Sequence, residues 1–243
     1  MSDLDRAAPP RPGRLRPFEF PEVARDRLPN GLALLHVRHG NLPLVTLSLV
    51  VAAGGTEESP QQAGLATLTA NALASGTSSR SADEIAWAIE SLGIHLETQA
   101  TWDAAYARMT VPTERLDEAT ELFADVLRRP AFPDAEITRL REQQLAGILQ
   151  RRKQPGTLAG DVAARTVFVS EVPWSRPLVG GTSSVERLRP DDVAGFWRAR
   201  YSPQAASHCL APSSMGSSGI ASSVASTPKR SREIRSAVSA RSS

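Results

Sequence analysis

The sequence predicts an α+β fold, a mostly antiparallel sheet flanked by helices, and three observations support it. Strand-like apolar runs come in groups, at 25–55 and again at 94–111. Apolar residues recur at helical spacing from 113 onward. Helices fall between the strand groups rather than after every strand, which argues against a parallel βαβ design.

Taken in order, RDRLPNGLALLHVR (25–38) places Asn30-Gly31 between two apolar runs, the signature of a tight hairpin. LVTLSLVVAAGG (44–55) reads as a buried strand closing on a glycine pair, and GLATLTANALASGT (64–77) as a short helix over 64–75. Ser81 and Glu84 form a capping box that opens a helix to about Ser91. IHLETQAT (94–101) and AAYARMTV (104–111) read as two strands around Trp102-Asp103. Leu116, Ala119, Leu122, Phe123, Val126 and Leu127 make an apolar stripe over 113–128, which Arg128-Arg129-Pro130 closes. Pro133-Asp134 starts a longer helix to about Arg152, and helices near 157–169 and 190–200 complete the pattern. The core is predicted at Leu47, Leu49, Val51, Leu65, Leu68, Leu122, Phe123, Val126, Ile148 and Phe196.

Three regions follow from composition. Residues 1–23 are rich in Pro and Arg and read as a disordered extension, 24–206 form the folded body, and 207–243 read as a low-complexity Ser/Arg tail. The tail holds five of the 28 basic and one of the 26 acidic residues, leaving 23 and 25 in the rest. The basic character therefore belongs to the tail, and the body is slightly acidic. No run of eighteen apolar residues could span a membrane, and the N-terminus lacks the apolar stretch of a signal peptide, so a cytoplasmic product is expected. A single cysteine, Cys209, excludes an internal disulfide framework.

The helix at 64–75 carries the main functional question. Thr67 and Asn71 are four apart and share a face, the spacing at which a helix offers paired ligands to a metal. Neither residue type is a good ligand. Other candidates have simpler readings. His36 and His39 would point to opposite faces of a strand, and His208-Cys209 sit in the tail without a scaffold. No Gly-x-Ser-x-Gly elbow, phosphate loop or dinucleotide glycine motif occurs. Asp161, Asp191 and Asp192 read as helix-start residues and Asp103 as a turn residue. The run KRSREIR (229–235) lacks interleaved aromatics, so no nucleic-acid partner is expected.

Several phrases together resemble the insulinase/pitrilysin family of zinc metallopeptidases, which includes the mitochondrial processing peptidases. They are RLPNGLALLHVRHGNLPLVTLSLVVAAGGTEESPQQAGLA, ASGTSSRSADEIAWAIESLG, LFADVLRRPAFPDAEITRLREQ and WSRPLVGGTSSVERLRPDDVAGFWRARYSP, in that order. The resemblance covers roughly 24–204 and implies one half of a processing-peptidase-like subunit. Active members carry His-x-x-Glu-His on the Gly-Leu-Ala helix, with a Glu from a later helix as third zinc ligand. By this resemblance the histidine positions fall on Thr67 and Asn71, the catalytic base on Ala70, the later Glu on Gly147 and a second acidic position near Leu140. The expectation is no zinc cofactor and no catalysis by the chain alone.

The resemblance also implies that Ile94, His95, Leu96, Glu97, Thr98, Gln99 and Ala100 form an edge strand on which an extended peptide pairs by its backbone. The preferred reading is a non-catalytic subunit whose partner is a catalytic peptidase subunit of the same family, with unfolded peptide as a client. One alternative is a truncated or frame-shifted fragment without function, because the family continues past Tyr201-Ser202-Pro203 with a further strand and a second half. The other is a binder of nucleic acid or anionic surfaces through the basic tail.

Overall fold

The structure is a computed structural model that describes residues 13, 19–38, 40 and 42–213. Its centre is one six-stranded sheet in the order β1-β2-β6-β3-β5-β4. The strands are β1 (Val23–Arg27), β2 (Ala33–Val37), β3 (Leu44–Val51), β4 (His95–Ala100), β5 (Ala105–Pro112) and β6 (Ala206–Ser213). Every pairing is antiparallel except β2 with β6. β1 and β2 form the expected hairpin, with Asn30 Oδ1 accepting from the Leu32 N–H across the turn.

The helices are α1 (Leu65–Ala72), α2 (Ala82–Leu92), α3 (Leu116–Arg128), α4 (Asp134–Arg151), α5 (Pro155–Val167), α6 (Thr182–Val185) and α7 (Pro190–Arg200). The Ser81 capping box forms as expected. The Ser81 hydroxyl accepts from Glu84 N–H, and the Glu84 carboxylate accepts from Ser81 N–H. α6 has no counterpart in the sequence reading, since four residues are too few to show a period.

β5 shows how the sheet is sided. Ala105, Ala107, Met109 and Val111 are buried, whereas Arg108 and Thr110 are exposed and Tyr106 is half-buried. The buried set joins Val45, Leu47 and Val51 of β3, Leu65 and Leu68 of α1, and Leu122, Phe123 and Val126 of α3 in one core. All ten predicted core residues belong to this cluster, Leu49 as a partly buried member packed against it. Complete burial of a side chain such as Leu47 or Met109 contributes about 2 kcal/mol.

The structure corrects the predicted boundary at 206. β6 lies inside the predicted tail and fills the slot between β2 and β3, with Ser207–Leu210 beside Ala33–His36 and Ala206–Ser213 beside Leu44–Val51. The strand that the fragment reading counted as missing is therefore present. SHCLAPS carries little strand propensity, but a strand paired on both sides draws its stability from two ladders. Pro212 fits for a specific reason. The Ala52 N–H to Ala205 O bond sets an alternation in which residue 212 points away from β3, and the β2 ladder has already ended at Leu210. Residues 1–12, 14–18, 41 and 214–243, including KRSREIR, lie outside the described residues, as does His39.

Candidate functional site: the α1–α4 face and the β4 edge

α1 begins at Gly64, which takes the left-handed conformation with φ of 98°. Glu58 receives the helix start. Its Oε2 accepts from Gly64 N–H and its Oε1 from Ala66 N–H, both at 2.7 Å. Two of the orphan amides that every helix N-terminus leaves are thereby satisfied, and the carboxylate sits at the positive end of the helix dipole. Burial nevertheless dominates and raises the Glu58 pKa to about 7, against the opposing pull of the Ala66 and Gly64 amides, Arg176 and the Leu65 amide.

A strap over 178–181 closes over the same end of α1. Thr67 Oγ1 donates to Leu178 O at 3.2 Å, and Gln144 Nε2 of α4 donates to both Val179 O and Gly64 O. Ser184 Oγ donates to Ala63 O at 2.8 Å. Gly180 has φ of 77°, and a Cβ there would stand 2.2 Å from Ala63 O, so only glycine permits this approach.

This packing fixes what the motif positions present. Thr67 is half-buried with its hydroxyl engaged on Leu178 O, Ala70 is a fully buried methyl, and Asn71 is exposed. Gly147 of α4 is exposed, with open space where a Cβ would be. One committed hydroxyl, one amide and two positions without donors do not fit Zn²⁺, which takes imidazole, thiolate and carboxylate. Among the described residues no group of three or more His, Cys, Asp or Glu could hold a metal ion.

The second part of the site is β4, which ends the sheet next to β5. His95, Glu97 and Gln99 are exposed, and Leu96, Thr98 and Ala100 are half-buried on the helix side. Ile94 stands apart from the strand it was predicted to open. It is buried, and its N–H donates to Ile89 O at the end of α2. Thr101 N–H donates to Ala104 O at 2.7 Å, which fixes the alternation along the hairpin. Gln99, Glu97 and His95 therefore turn their backbone groups toward β5, and Ala100, Thr98 and Leu96 turn theirs toward the open edge. α1 packs against β4.

Glu58 and Asp125 are the two structural centres that motif reasoning passes over. Asp125 is buried on α3, and its Oδ2 accepts from Thr77 Oγ1, Ser79 Oγ and Arg80 Nη1. Its Oδ1 faces Arg129 Nη2 at 2.8 Å, an ion pair without hydrogen-bond alignment. The available signal was a charge within the apolar stripe Leu122, Phe123, Val126. Asp161 lies well inside α5 and pairs with Arg151, so it is not the helix-start residue expected.

The profile of the insulinase family (peptidase family M16) matches residues 37–165. A Mycobacterium leprae protein named uncharacterized zinc protease ML0855 is 28% identical over 75% of this chain and 41% of its own length. The non-peptidase homolog YmxG of Helicobacter pylori is 26% identical over 63% of this chain and 35% of its own. An Arabidopsis thaliana protein, probable mitochondrial-processing peptidase subunit beta, is 23% identical over 74% and 34% respectively. The crystal structure of a peptidase M16 inactive domain from Pseudomonas fluorescens superposes with a TM-score of 0.78 at 24% identity, over 89% of this chain and 51% of that one. The chain thus spans well under two thirds of the length of the relatives it matches.

Proposed function

The chain belongs to the insulinase family, peptidase family M16, and from that membership we propose that it serves as a non-catalytic half of a two-part peptidase. In this reading it holds an extended peptide on β4, and a catalytic subunit of the same family supplies the zinc chemistry. The carrying observation is the donor set at the α1–α4 face. Thr67, Ala70, Asn71 and Gly147 stand where the family resemblance puts the ligands and base. The relative named a non-peptidase homolog and the one named a peptidase subunit support the two aspects of the reading.

The residues themselves account for peptide holding. The outward N–H and C=O groups of Leu96, Thr98 and Ala100 offer a ladder that depends on backbone rather than sequence. An added strand also covers an edge that would otherwise be open to unwanted pairing.

Purified chain equilibrated with zinc and desalted is expected to retain far less than one ion per chain by elemental analysis. It should leave a quenched unfolded peptide uncut until a catalytic family member is added. Stoichiometric zinc with chelator-sensitive cleavage by the chain alone would refute the reading. A second test addresses the edge. Thr98→Pro removes one outward N–H and leaves the β5 ladder bonds in place. It is expected to weaken binding of a labelled extended peptide at least tenfold with little change in melting temperature. Unchanged binding would dismiss β4 as the docking edge.

A further inference from the structure

The open face beside the β4 edge carries side chains that the fold does not use. Glu97 lies directly opposite Arg108, and Gln99 opposite Tyr106. Together with Thr101 they line a shallow depression of about 180 Å³. Among the described residues Glu97 and Arg108 make no ion pair with each other, and neither Glu97, Gln99 nor Arg108 has a side-chain hydrogen bond. Two opposite charges and an amide are therefore displayed in register on a strand whose outer side no described strand covers.

We propose that Glu97 selects a basic residue in the peptide that pairs with β4, a refinement that rests on the peptide-holding reading above. The ladder geometry supplies the argument. A strand added antiparallel outside β4 bonds to Leu96, Thr98 and Ala100, so its residue facing Glu97 forms a non-hydrogen-bonded pair. Such pairs bring the side chains closest, with Cα atoms about 4.5 Å apart. Side chains of that pair lie on the open face, where nothing from the helices intervenes. The peptide residue is then one strand spacing from Glu97 and two from Arg108, roughly 5 and 10 Å. Screening in physiological salt acts over about 8 Å, so the nearer carboxylate dominates. Lys or Arg at this register pairs with Glu97, and Asp or Glu is disfavoured there. Arg108 competes for the same carboxylate and moderates the preference.

The test uses fluorescence anisotropy with the full chain and unstructured labelled peptides, each with one position set to Lys, Gln or Glu and that position scanned along the peptide. Wild type is expected to favour Lys over Gln by about two- to fivefold at a single register, the range of an opposite-charge cross-strand pair. Glu97→Lys should invert the order, Glu97→Gln should abolish it, and Arg108→Gln should strengthen the preference for Lys. An order unchanged by Glu97→Lys overturns the proposal. If Thr98→Pro still weakens binding at least tenfold in that case, peptide pairing stands and only the selectivity falls. If wild type binds none of the peptides, the pairing reading falls and the selectivity with it.

Discussion

Asp125→Ala is expected to lower the free energy of unfolding by about 2–3 kcal/mol, the cost of losing hydrogen bonds to a charged acceptor. The carboxylate ties the 77–80 turn to α3. Thr77, Ser79 and Arg80 all donate to one oxygen, and Arg129 faces the other. Burial alone would raise the Asp125 pKa. The Ser79, Thr77 and Arg80 hydrogen bonds and the Arg129 charge outweigh it and leave the group below its ordinary value. Alanine takes the carboxylate acceptor from the Thr77 hydroxyl, whose oxygen still accepts from the Ser79 and Arg80 amides, and Arg80 and Arg129 can turn to water, so the loss stays below that of a buried ion pair. The turn also leans on the Ser78 N–H to Arg129 O bond, so amide exchange should quicken over 76–81. Urea denaturation checks the magnitude. A loss under 1 kcal/mol would mean that these contacts do not act as one network.

Glu58 predicts a stability that declines toward neutral pH. Its folded pKa, about 7, lies above the unfolded value of 4.5. The folded chain therefore holds a proton that the unfolded chain has released. Stability is fully present below pH 4.5 and is lost as pH rises through 7, by about 3 kcal/mol in all. Asp125 acts in the opposite sense. Its lowered pKa contributes stability that disappears in acid, so the two windows separate. Unfolding free energies should fall through pH 5, 6 and 7 and level off by pH 8 for wild type, and stay level throughout for Glu58→Gln. Parallel slopes in the two proteins would remove Glu58 as the source. Glutamine still accepts from one of Gly64 and Ala66 but leaves the other amide facing its NH₂ group. The variant is consequently compared by slope, not by absolute stability.

Much of this architecture was legible because local chemistry and tertiary packing agree. Ser81 and Glu84 announce α2 through three residues of sequence, and Leu122, Phe123 and Val126 mark α3 by their period alone. The motif positions could be located because they sit on a helix with a recognisable opening. What stayed hidden depends on distant partners. Glu58 stabilises α1 from six residues before Gly64, outside any capping-box spacing. Asp125 resembles an interruption of an apolar stripe until Thr77, Ser79 and Arg80 are brought to it. β6 reads as tail because its backbone bonds come from β2 and β3, and those are written elsewhere in the chain.

The placement of β6 has a consequence for biosynthesis. Among the described residues, the β1–β2 hairpin joins the rest of the sheet through a strand about 170 residues downstream. While the ribosome is still producing the helices, β2 and β3 are two facing margins with a gap between them, and contacts so far apart in sequence form slowly. The nascent protein thus carries an unclosed seam until residues 206–213 are available to fill it.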